Sequence, residues 1–160
     1  MSKKTVSEKV KVFFDSKKGS VDARLFLTRD DGITVYDSLQ NETTTSVAAL
    51  VSGLWQASEA LMGLVNKESD VFEFRLGFDT SSQGIFLVPL KIENKKYFMG
   101  ALYYNCLNPG QLKRQVAMLK EALIPLFPDV PVTKSAAREG FLFKDISDEE
   151  IDRLFAIGGL

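Results

Sequence analysis

Histidine is absent from the chain, and Cys106 is its only cysteine. Without an imidazole, neither a Ser-His-Asp nor a Cys-His nucleophile pair can be assembled, and one thiol cannot complete any usual zinc set. A lone thiol forms no internal disulfide, and Met1-Ser2-Lys3-Lys4 lacks the apolar segment of a secretory signal, so a reducing cytoplasm is the expected compartment. Charge of one sign is not in excess either: 20 basic against 21 acidic residues leave a net charge of −1. No basic stripe stands out that could neutralise a run of phosphates, which makes nucleic acid and anionic membrane poor partners. The phosphate-cradling motifs G-x-x-x-x-G-K-[ST] and G-x-G-x-x-G are missing, so a nucleotide is expected on a partner and not on this chain. The richest apolar stretch, residues 47–65, is interrupted by Ser52, Gln56, Ser58 and Glu59, and reads as a buried helix and not as a membrane span. These absences predict a non-enzymatic protein with no catalytic, cofactor or metal residue.

What is present is enough apolar material for a single core: 160 residues, 45% apolar and 26% charged, within the range that folds without covalent staples. Val6, Val10, Phe13 and Phe14 recur at helical spacing in residues 5–15, and Lys17-Lys18-Gly19-Ser20 stops the pattern. Residues 24–28 and 33–36 flank Asp30-Asp31-Gly32, residue types that accept positive φ, and predict a hairpin.

Thr43, Thr44, Thr45 and Ser46 offer N-cap hydroxyls to a central helix over residues 47–65. One face of it carries Val47, Leu50, Val51, Leu54, Leu61 and Val65, and the neighbouring face a stripe of small residues, Ala49, Gly53, Ala57 and Ala60. Alternating residues 72–78, the apolar run 85–90 and the aromatic-rich run 97–104 predict a three-stranded meander, with Pro89 at a bulge or with its nitrogen turned away from a neighbour. Asn108-Pro109 reads as N-cap and N1 of a further helix with Leu112, Val116, Leu119 and Leu123 on one face.

Pro125, Pro128 and Pro131 favour an extended exit. The predicted organisation is a compact domain over residues 1–127, a proline-rich, flexible linker over 128–140, and a C-terminal amphipathic helix within 141–160. In that last segment Ser147 is an N-cap, Glu150 closes a capping box, and Ile146 with Ile151 forms a hydrophobic staple. Ile151, Leu154 and Phe155 are its candidate anchors, with Asp148, Glu149, Glu150 and Asp152 around them. The helix either serves as a detachable recognition peptide, the favoured reading, or packs on its own body.

The order helix, two strands, helix, three strands, helix gives an α+β fold with a five-stranded antiparallel sheet. Within it, Thr44-Thr45-Ser46-Val47-Ala48-Ala49-Leu50-Val51-Ser52-Gly53 resembles the start of the central helix of Roadblock / dynein light chain proteins of the MglB type. Ile146-Ser147-Asp148-Glu149-Glu150-Ile151-Asp152-Arg153-Leu154-Phe155 is similar to their C-terminal tail, and also to the receiver-binding peptide of flagellar switch proteins. The chain departs from the pattern in its short first helix, in Trp55 and Gln56 where small residues are expected, and in Asn108-Pro109-Gly110.

The resemblance implies an α/β/α sandwich and a homodimer joined through the third strands, with central helices presented to a small Ras-like, MglA-type GTPase. It implies a role in that GTPase's nucleotide cycle, in cell polarity or motility, with recruitment to a cell pole. The candidate residues of the GTPase or dimer face are Ala49, Ser52, Gly53, Gln56 and Ala60, and among the tail anchors Ile151, Leu154 and Phe155 the resemblance gives Leu154 and Phe155 a GTPase contact by position. A scaffold that binds another Roadblock protein or a response-regulator receiver domain, without stimulating hydrolysis, stays open beside it.

Several residues carry two readings. The small stripe is either an interface, which is favoured, or tight packing inside one domain, and Trp55 is equally an interface anchor or a core side chain. The adjacent carboxylates Asp30 and Asp31, or Glu149 and Glu150, read as solvated charge, because adjacency does not converge two groups on one substrate. Cys106 reads as a small buried hydrophobe, and Lys113 and Arg114 as ordinary helix-surface charges in preference to an inserted arginine finger. A small-ligand site on Tyr97, Phe98, Tyr103 and Tyr104 lacks the convergent polar groups it would need.

Overall fold

The computed structural model describes residues 4–68 and 70–128. The predicted linker beyond Pro128 and the terminal helix with Ile151, Leu154 and Phe155 lie outside the described residues. The described elements run α1 (Val6–Ser16), β1 (Arg24–Arg29), β2 (Thr34–Asp37), α2 (Thr44–Val65), a 3-10 turn (Val71–Glu73), β3 (Leu76–Asp79), β4 (Gly84–Ile92), β5 (Lys95–Tyr103) and α3 (Pro109–Leu123).

Local chemistry fixes most of these boundaries. Thr5 and Glu8 close a capping box at the start of α1, which satisfies two backbone donors that a helix start leaves without partners. Asn108 accepts from the Gln111 N–H at 3.0 Å and Pro109 occupies the first turn of α3, as Asn-Pro predicts. Gly32 has φ +82° in the β1–β2 turn, and Glu93 and Asn94, at +50° and +64°, make the β4–β5 turn. Two consecutive positive φ values match the twist of a tight hairpin.

The strands form one antiparallel sheet in the order β2-β1-β5-β4-β3, which leaves β2 and β3 as its edges. Against one face, α1 and α3 bury Val10, Phe14, Leu112, Val116 and Leu123 on Leu27, Val88, Leu90 and Met99. Each such side chain taken from water contributes roughly 1.5–3 kcal/mol, which makes this the main core. Against the other face lies a smaller cluster, Phe26, Leu87 and Phe98 under Val51 and Trp55 of α2. Strand alternation assigns the faces: Leu25 and Leu27 point to the main core while Phe26 points to α2.

Three expectations need correction, and the choice left open at Pro89 is decided. The third strand is shorter than the alternation in 72–78 suggests: the Asp70 side chain accepts from the Phe72 N–H at 3.0 Å and Phe74 N–H reaches the Val71 carbonyl at 3.3 Å. That local capping turns Val71–Glu73 into a 3-10 turn, and pairing begins only at Leu76. Of the two expectations for Pro89 the second holds: it stays in register opposite Phe98 and makes no bulge. It lies past Leu87, the last β4 residue that β3 reaches, so the missing donor falls where no second strand runs. The hydroxyls before α2 do not cap it: Thr43 makes no capping bond, because the Arg24 guanidinium takes its oxygen at 2.8 Å and Thr44 donates to Asp37 at 2.9 Å. Finally, α2 is not a buried helix: it buries only Ala48, Val51, Ser52 and Trp55, with consequences for the candidate site.

Candidate partner-binding surface

α2 contains one charged residue, Glu59, in 22, so its sequence hardly says which side faces the sheet. The polar residues decide. Ser52 donates its hydroxyl to the Asp30 carbonyl, and the Gln56 amide donates to the same oxygen at 3.1 Å and to Ser52 Oγ at 3.1 Å. Glu59 pairs with Lys96 of β5 at 2.9 Å. These contacts lie on one side of the helix, at spacings of four and three residues, and pull that side onto the β1–β2 turn and the sheet. Ala48, Val51, Ser52 and Trp55 are the buried residues of α2.

Leu50, Leu54, Leu61 and Val65, members of the apolar face of a helix read as buried, consequently point outward. Leu50 is 72% exposed, Leu61 65% and Leu64 84%. The small residues Ala49, Gly53, Ala57 and Ala60 are exposed on the same side, and a Cβ built on Gly53 would meet nothing within 4 Å. Of the residues expected at a GTPase or dimer face, Ala49, Gly53, Gln56 and Ala60 are exposed, but Ser52 is buried at 4% because its hydroxyl is held by the hairpin turn. Trp55 is a core residue, 3% exposed and stacked on Phe98 at 5.1 Å; its indole N–H has no hydrogen-bond partner among the described residues. By length and composition α2 is long and apolar enough to cross a membrane; its bonds to Asp30 and Lys96 tie it to the sheet.

The uncharged outer side continues toward the β3 edge. Between the second half of α2 and β3 runs a groove of about 330 Å³, lined by Trp55, Leu61, Met62, Phe74 and Leu76 among others. Phe78 of β3 is 79% exposed. Exposed apolar residues that continue from a helix onto an open strand edge exceed the scattered surface leucines every protein shows.

The start of α2 is anchored by a pair that the sequence reading missed. Arg24 of β1 grips Asp37 of β2 with two bonds, Nε to Oδ1 at 3.0 Å and Nη2 to Oδ2 at 2.6 Å, and the Asp37 side chain is wholly buried. Burial pushes the Asp37 carboxyl up, but bonds from Arg24, the Leu39 N–H and Thr44 outweigh it and hold it below the ordinary value. An aspartate closing an apolar strand, with an arginine opening the paired strand, was the available signal. At the other edge Asp79 of β3 accepts from Tyr103 at 2.8 Å and from Lys113 of α3. Burial and the hydrogen bond to Asp79 push the Tyr103 phenol up to about 12. Lys113, weighed as a finger, is thus committed to a structural ion pair.

Known structures were compared with this architecture. The gliding protein MglB from Thermus thermophilus superposes with a TM-score of 0.59 over 79% of this chain and 94% of that one, at 15% sequence identity. Myxococcus xanthus MglB superposes with a TM-score of 0.52 over 69% and 86%, also at 15% identity. The fold is that of MglB. A Roadblock/LC7 domain from Streptomyces avermitilis aligns at 18% identity over 65% and 83% of the two chains, with a TM-score of 0.48 too low to add weight. No protein-family model matches the sequence, and no curated protein does.

The MglB fold is therefore carried here by a sequence that keeps the layer pattern and little else. Layer order, strand order and the long helix over the sheet are what such a fold demands of any sequence: one face closed by two helices, the other by one. Within the MglB fold, α2 lies over the β1–β2 side, reaching β5 at Lys96, and among the described residues β3 is left as an open edge.

Proposed function

We propose that this chain is a self-associating, non-enzymatic regulator that binds a small Ras-like GTPase of the MglA type and modulates its GTP hydrolysis or nucleotide cycle. The observation that carries the reading is the outward side of α2: uncharged, rich in exposed leucine, and interrupted by Ala49, Gly53 and Ala60 so that a partner's backbone can come close. Binding energy that differs between two conformers of a GTPase shifts their population without any catalytic group being donated. The open β3 edge supports a homodimer, because a second copy pairing there would cover both the edge and the neighbouring apolar groove. Gln56 stands at the border of this surface with its amide spent on Asp30, leaving its oxygen to a partner. Ile151, Leu154 and Phe155 are proposed as a second contact on the same partner. A cytoplasmic role in polarity or motility, with recruitment to a cell pole, goes with this proposal.

The test is GTP turnover by the MglA-type GTPase of the same organism, with and without the protein, beside the Gly53→Arg variant. A change in turnover that Gly53→Arg abolishes, while circular dichroism stays native, is the expected result. Sedimentation should give about twice the 17.8 kDa chain mass. Complex formation with unchanged turnover would instead support a scaffold for another Roadblock protein or a receiver domain; no complex with the GTPase refutes the proposal.

A further inference from the structure

A second groove lies on the opposite face of the sheet, between α3 and the β3 edge, with a volume of about 790 Å³. Its long wall is a stripe along α3 in which Gly110, Ala117, Met118 and Ala122 alternate with Lys113 and Arg114 at spacings of three and four residues. From 110 to 122 the stripe is about 18 Å long at 1.5 Å per residue, the length of a docked helix of about three turns. Phe86 forms the apolar floor and Arg75, just before β3, the far rim.

The charge is one-sided. Arg75, Lys113 and Arg114 line the groove against the single carboxylate of Glu121. Lys113 is held by Asp79, but neither Arg75 nor Arg114 has a carboxylate within 4.0 Å among the described residues. Lys120, one position from the stripe, is lowered by burial and further by the nearby Arg75, against an opposing pull from Glu121. A row of small and apolar positions bordered by free guanidinium groups suits an amphipathic helix whose polar side is acidic. Its apolar side would cover Met118 and the alanines, and its carboxylates would take bidentate bonds from Arg75 and Arg114.

We propose that this groove is a docking site for an acidic amphipathic helix of a partner protein, separate from the α2 surface. The probe is a fluorescein-labelled helical peptide of about twelve residues, with leucine at i, i+3, i+4 and i+7 and glutamate elsewhere, titrated against the full chain by fluorescence anisotropy. Saturable binding is expected, about tenfold weaker in Arg75→Glu/Arg114→Glu and weakened again by Met118→Glu, all three side chains being exposed enough to leave the melting temperature in place. Gly53→Arg should bind the probe as the parent does, so failure here is distinct from failure of the GTPase proposal. Equal binding of a lysine-for-glutamate peptide, equal binding by the double variant, or full competition by inorganic phosphate at matched ionic strength would each overturn the proposal.

Discussion

α2 and α3 lie on opposite faces of one sheet and obey different rules. α3 has a capped start and four leucine and valine side chains turned inward, with most of its charged residues outside, so its sequence specifies both that it is a helix and which way it faces. α2 is longer and more apolar, yet buries only Ala48, Val51, Ser52 and Trp55 and leaves its leucines in solvent. The more hydrophobic helix is the less buried one. Other apolar side chains are exposed elsewhere, Leu107 and Met118 among them, but on α2 and the adjoining β3 edge they follow one another along one side.

The contrast can be broken most severely from the α3 side. Val116→Asp places an unpaired carboxylate at a fully buried position and should cost on the order of 5 kcal/mol or more, enough to abolish a cooperative urea transition. Asp37→Ala comes next: leaving Arg24 without its partner should cost about 3–5 kcal/mol in chemical denaturation, and the loss should reach α2 as well as the hairpin because Thr44 shares the same carboxylate.

The pH dependence follows from the same group with a defined sign. Its folded-state value lies below the ordinary 3.8, so the stabilisation is present above 3.8 and fades as pH falls through the folded value. The stability gap between the parent and Asp37→Asn should be widest near neutrality and close in acid; a gap that widens in acid would contradict the assignment. The smallest effect belongs to the α2 exterior. Leu50→Asp should change stability by no more than about 0.5 kcal/mol while lowering self-association in sedimentation, and a large loss of stability would mean that this side is core after all.

α1, α3 and the β1–β2 hairpin were legible because each carries a directional signal: an amphipathic period, a cap, or a glycine where φ must be positive. α2 was legible as a helix but not in its orientation. A segment apolar on all sides has no preferred direction, and the choice is made by Ser52 and Gln56 reaching a carbonyl in a turn more than twenty residues away. The start of β3 was misread because Phe72-Glu73-Phe74 alternates like a strand while Asp70 caps a tighter turn. Exposure on the candidate surface was partly legible: Ala49, Gly53 and Ala60 are exposed, the leucines beside them belonged to a helix read as buried, and Ser52 lies beneath, held by the hairpin turn.

The uneven anchoring of α2 has a consequence in time. Its first four turns are held by Asp37, by the hairpin turn and by Lys96, but no residue after Glu59 is buried. Backbone amides past Leu61 should therefore exchange with deuterium far faster than those around Val51, as the end of a helix opens without disturbing its rooted half. A partner closing over that end must first slow it, and part of the contact energy is then spent on ordering. An interface of the proposed kind would then form and release readily, its strength set by how much of that helix end the partner has to order.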